Sequence, residues 1–126
     1  MFKKRKTERP AISRGQALKS VPVRNREVSE EPLAAGGVRL AYPVTVRPWF
    51  ARLARRLGAG EPPVRQKKLD LDELGASVWG MIDGKRTVGR IIEDFARAHR
   101  FQRREADMSV TLFLRQLGQR GIIGIK

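Results

Sequence analysis

The chain of 126 residues contains no cysteine and a single histidine, His99. A disulfide framework and a thiolate metal site are therefore excluded, and a reducing compartment is the simpler setting. Acidic residues are also scarce, 13 against 27 lysines and arginines, which leaves a net charge of +14. Such a field attracts nucleic acid, anionic lipid or an acidic peptide without choosing among them. No run approaches the roughly 18 apolar residues of a membrane span, and the cationic opening "MFKKRKTERP" has no apolar stretch behind it to make a secretory signal. The cytoplasm is the expected location.

What is present suffices for one domain with a modest core. Residues 1–25 are rich in cations and proline and poor in large apolar groups, so they are expected to form a flexible basic arm. A folded domain is expected over 26–126. A short strand from Arg26 to Ser29 is expected to pair, across "EEPLAAGG", with a strand that alternates Val38, Leu40 and Tyr42 against Arg39 and Ala41. Between about 43 and 63 lies an insert, in which "PWFARLARRLG" places Trp49 or Phe50, Leu53 and Leu57 on one stripe of a short amphipathic helix. "VRQKKLDLD" then reads as a strand, with Arg65, Lys67, Leu69 and Leu71 on one side and Val64, Gln66 and Lys68 on the other.

Three helices are expected to follow. The first is capped by Asp72, carries Leu74, Val78, Met81 and Ile82 at core spacing, and stops at Asp83-Gly84. The second starts at the N-cap Thr87 and buries Val88, Ile91, Ile92 and Phe95. The third runs from Arg104 or Glu105 to Gly118, with Val110, Phe113, Leu114 and Leu117 on one face and Glu105 and Asp107 at its positive end. "GIIGI" closes the chain as a short strand or extended tail.

The residues whose types suit chemistry have simpler duties. Asp70, Asp72 and Glu73 are too few for a hard cation, which takes about six oxygen ligands, and suit a strand end and a helix cap. "GMIDGKRT" fails as a phosphate loop because Arg86 stands where a hydroxyl residue should follow the lysine. His99 has no nucleophile or carboxylate at a recognisable spacing. Neither an enzyme nor a bound cofactor or metal is expected.

The stretch "LDLDELGASVWGMIDGKRTVGRIIEDF" resembles the PqqD family, small peptide-binding proteins of pyrroloquinoline quinone synthesis, also called recognition elements for ribosomally made, modified peptides. The resemblance lies in a strand ending in leucine and acid (Leu69 to Glu73), Gly75, an apolar helix, Ile82-Asp83-Gly84, a basic residue, Thr87-Val88 and an isoleucine pair. It continues through "ADMSVTLFLRQLGQRG" to Ile122-Ile123. It implies a mixed α+β, winged-helix-like fold, a three-stranded antiparallel sheet packed against three helices, with the insert's amphipathic helix between the second and third strands. It also implies a non-catalytic adaptor that takes a precursor's leader peptide as an extra strand on the third strand, beside the third helix, and presents it to a radical S-adenosylmethionine or other modifying enzyme, as in quinone cofactor synthesis. Carried over by position, the peptide-binding residues are Val64, Arg65, Gln66, Lys67, Lys68 and Leu69 on the strand, with Val110, Phe113, Leu114, Arg115 and Leu117 on the helix. The cations among them suit the acidic leaders of the family's substrates.

The rival expectation is a winged-helix nucleic-acid binder, suggested by the net charge and the helix-turn-helix look of Thr87 to Gly118. Glu105 and Asp107 at the start of its recognition helix oppose DNA, so any nucleic-acid binding is expected to be nonspecific. Membrane attachment through "PWFARLARRLG" is disfavoured because an apolar helical stripe normally faces a core. Exposed strand edges also allow two copies to pair as a homodimer.

Overall fold

The structure is a computed structural model that describes residues 14–44, 56–58 and 65–126. Where one domain over 26–126 is expected, the chain divides into two compact units. One spans Asn25–Trp79, and the other joins Gly80–Lys126 to the stretch ending at Arg24.

The first unit is organised by an antiparallel sheet of three strands, β2 (Ser29–Pro32), β3 (Val38–Val44) and β4 (Arg65–Leu71), with β3 in the middle. β2 and β3 are joined through a turn in which Ala35 and Gly36 take the left-handed conformation, at φ 63° and 82°. Gly37 follows because no side chain fits there: a Cβ would come within 2.5 Å of the Leu71 carbonyl oxygen. β3 alternates as expected, with Leu40 and Tyr42 buried, and Leu71 is buried on β4. The hairpin forms, but its first strand lies three residues later than Arg26 to Ser29. "SEEP" is exposed at every position, so no buried face pins its register from sequence.

Helix α2 (Glu73–Met81) carries the boundary between the units. Asp72 caps it as expected, its Oδ1 accepting from the Gly75 N–H at 2.8 Å. Val78, Trp79 and Ile82 are buried. Leu74, expected in the core, is 40% exposed although it shares the stripe of Val78, because it stands in the first turn of the helix.

The second unit is mainly helical, with α3 (Val88–His99) packed on α4 (Arg103–Gln119). Thr87 caps α3 by accepting from the Arg90 N–H, and Val88, Ile91, Ile92 and Phe95 are buried as the spacing predicts. A capping box between Gln102 and Glu105 starts α4 slightly earlier than expected.

Residues 14–24 fall in the stretch read as a basic arm, yet they form helix α1 (Arg14–Lys19) and strand β1 (Pro22–Arg24). A six-residue helix is unstable alone, and α1 buries no side chain. Its order comes from neighbours. Arg14 pairs with Asp107, and the Ser20 carbonyl accepts from the Val88 N–H at 2.9 Å. β1 pairs antiparallel with β5 (Ile123–Ile125), and Val21 and Lys126 exchange hydrogen bonds beyond it. The closing apolar run is thus a strand, as one of the two expectations had it.

The helix expected in the insert lies outside the described residues except for Arg56, Leu57 and Gly58. Leu57, expected on an apolar core stripe, is 76% exposed and lies in a turn.

Candidate functional site

Backbone register determines what the sheet offers to a partner. The Leu33 N–H donates to the Gly37 carbonyl at 2.9 Å, so residue 37 faces the β2 side. Hydrogen-bonding direction alternates along an antiparallel strand, and both pairings run without a bulge. Arg39 and Ala41 therefore bond toward β2, while Val38, Leu40, Tyr42 and Val44 bond toward Leu71, Leu69, Lys67 and Arg65. The backbones of Gln66, Lys68 and Asp70 consequently point outward. Two prolines agree with this assignment. Pro43 needs no ladder donor, since its nitrogen faces the side where β2 has already ended, and Pro32 turns its nitrogen to the outer edge of β2.

Among the described residues no strand covers the outer edge of β4, and no backbone hydrogen bond outside the ladder uses Gln66, Lys68 or Asp70. That edge presents three N–H donors and three carbonyl acceptors in a row. An edge of this kind is a template for another extended chain.

The charges along the edge are arranged unevenly. Asp70 receives a two-pronged hydrogen bond from Arg39 across the strands, at 2.7 and 3.0 Å. This contact holds the Asp70 carboxyl below its ordinary range, with nearby Lys68 adding to the effect. The one acid on the edge is thereby matched. Gln66, Lys67 and Lys68 are exposed and Leu69 is half-buried. Lys67 makes no salt bridge among the described residues.

The other residues expected at the site are placed as follows. Val64 lies outside the described residues, and Arg65 pairs with Val44 at the start of β4. Val110, Leu114 and Leu117 are buried, Phe113 is half-buried and Arg115 is exposed, all on α4 of the helical unit. The three buried residues are core, which leaves Phe113 and Arg115 as the accessible members of that set. Two exposed apolar residues of α4 were missed, Met108 at 69% and Leu112 at 55%, one turn apart. Their i, i+4 spacing is visible in sequence, but the face that turns outward is not. Arg39, also missed, carries no local signal, since its role depends on register.

Elsewhere the cations are partly matched. Asp94 lies within reach of Arg86, Arg90 and Arg97, at 3.6, 3.2 and 3.0 Å. The Asp83 carboxylate accepts from the N–H groups of Lys85 and Arg86, both at 2.9 Å, which lowers its pKa and explains "DGKR" as a turn. His99 sits beside Phe95 and Phe101, with ring centroids 4.7 and 6.1 Å away. Among the described residues no group of three or more His, Cys, Asp or Glu side chains could hold a metal, and no helix is long and apolar enough to cross a membrane.

Comparison with known proteins agrees with this architecture. Residues 62–123, spanning β4, the three helices after it and the start of β5, match the family model of coenzyme PQQ synthesis protein D, PqqD. The chain belongs to the PqqD family over these residues. The solved structure of TbiB1 in complex with the TbiA(beta) leader peptide is similar in fold, with a TM-score of 0.56 at 15% identity, covering 80% of this chain and 93% of that one. No curated protein matches the sequence. Membership of the PqqD family carries a peptide-recognition role, and the mixed α+β fold with its three-stranded antiparallel sheet is the one expected of it.

Proposed function

We propose that this protein is a non-catalytic adaptor that captures the leader segment of a ribosomally made precursor peptide as an added strand on β4. In this reading it holds the peptide for a modifying enzyme, a radical S-adenosylmethionine protein or another, in the cytoplasm. One observation carries the proposal: in a PqqD-family chain, the outer edge of β4 is uncovered among the described residues and basic. Strand addition draws affinity from main-chain hydrogen bonds and selectivity from alternate side chains, and β4 offers both. TbiB1, a protein of similar fold, was solved in complex with a leader peptide, which supports a peptide partner here.

The experiment is affinity recovery of the full chain from its own cells at moderate salt, with nuclease treatment, read by mass spectrometry. The expected result is a short peptide that survives nuclease and is lost with a Lys68→Pro variant. Recovery of nucleic acid alone, with every protein partner lost on nuclease treatment, would replace the proposal with the winged-helix nucleic-acid binder.

A further inference from the structure

The charge of β4 is concentrated on two adjacent positions that point to opposite faces of the sheet. Lys67 shares a face with Leu69 and Leu71, opposite Tyr42 and Leu40, whereas Lys68 shares the other face with Gln66 and Asp70. Gln66 is neutral, and Asp70 is already held by Arg39 at two points. A strand added at this edge therefore meets one cation on each face, at consecutive residues, neither of which forms a salt bridge among the described residues. Beside Lys67, two residues along, it meets the half-buried apolar Leu69.

Register sharpens the pattern. Lys67 and Leu69 turn their backbones toward β3, so an added strand would face them in non-hydrogen-bonded pairs, where cross-strand side chains come closest. Lys68 would sit in a hydrogen-bonded pair, still within reach of a directly opposite carboxylate. We infer that the peptide taken by β4 carries two adjacent carboxylates next to an apolar residue: acids opposite Lys67 and Lys68, an apolar side chain opposite Leu69. In the antiparallel addition that this pairing requires, the order reads apolar, acid, acid from the peptide's N-terminus. This rests on the strand-addition reading and specifies its substrate class. A peptide that is merely acidic does not meet the requirement, because acids spaced two apart would place both on one face and leave one lysine unmatched.

The test uses a randomised 12-residue peptide library displayed on phage and selected on the full chain, followed by fluorescence anisotropy of the enriched peptides. Enrichment of an adjacent acid pair flanked by Leu, Ile, Val or Phe is expected. Replacing both acids by Gln should weaken binding roughly tenfold, the size of two cross-strand charge pairs. A Lys67→Glu/Lys68→Glu variant should lose the acidic peptides and accept their Lys-Lys counterparts, a rescue that a general charge effect would not place at these two positions. Enriched peptides that lose binding on backbone N-methylation but ignore the double variant overturn this inference and leave strand addition standing. Binding that ignores N-methylation overturns strand addition itself, as does a selection that enriches nothing.

Discussion

The two edges of one sheet are built to opposite ends. β2 is four residues long, carries Glu30 and Glu31, and turns the nitrogen of Pro32 outward, so its outer edge has lost a donor and presents acidic side chains. β4 is seven residues long, has no proline, and turns three intact peptide groups outward beside Lys67 and Lys68. Proline and like charge are the usual means of keeping an edge from recruiting a strand. Here they protect β2, and against an acidic partner β4 has neither. The difference assigns the open edge to the strand whose charge suits an acidic peptide.

The most severe test of that contrast moves the proline. Lys68→Pro gives β4 the outer edge of β2: no ladder bond is lost, stability should change by less than about 1 kcal/mol, and peptide binding should disappear. Lys67→Pro instead removes the donor facing Tyr42 and should cost roughly 1–3 kcal/mol of stability. Thermal melts and anisotropy of both variants check the pair, and a Lys68→Pro variant destabilised more than Lys67→Pro would show the register to be inverted.

Gly37 locks the start of β3 against the end of β4. With a Cβ forced within 2.5 Å of a backbone oxygen, Gly37→Ala must shift the strands, at a cost of about 1–3 kcal/mol measured by denaturant titration. A smaller effect is expected from Arg39→Ala. It leaves Asp70 unmatched at the open edge and should weaken an acidic peptide roughly twofold to threefold, with no such loss in Arg39→Ala/Asp70→Asn.

The smallest effect is on pH dependence. Because Arg39 holds the Asp70 carboxyl below its ordinary value of 3.8, the unfolded chain takes up that proton first on acidification. The contribution of the pair is thus present above that value and lost as pH falls through the lower folded one. Melting curves of wild type and Asp70→Asn should differ at neutral pH and converge in strong acid.

Much of this was legible in the sequence wherever order is local. Asp72 and Thr87 announce their helices, the stripe Val88, Ile91, Ile92 and Phe95 fixes the buried face of α3, and alternation sorts Lys67 from Lys68. What stayed hidden depends on partners distant in the chain. Pro22 and Val23 lie in a polar, cationic stretch, and their strand exists because β5 is beside it, about a hundred residues on. The slip of β2 has the same origin, since "SEEP" has no apolar side to define its phase. At the site, the basic run was visible as a run, but the matching of Asp70 by Arg39 and the identity of the outward donors both required the register.

The most direct measurement is amide hydrogen exchange by NMR on the full chain, with and without a saturating acid-pair peptide. The account predicts new protection at Gln66, Lys68 and Asp70, with Lys67 and Leu69 unchanged because β3 already holds them. Protection that appears instead on the outer edge of β2, or nowhere on β4, would contradict it.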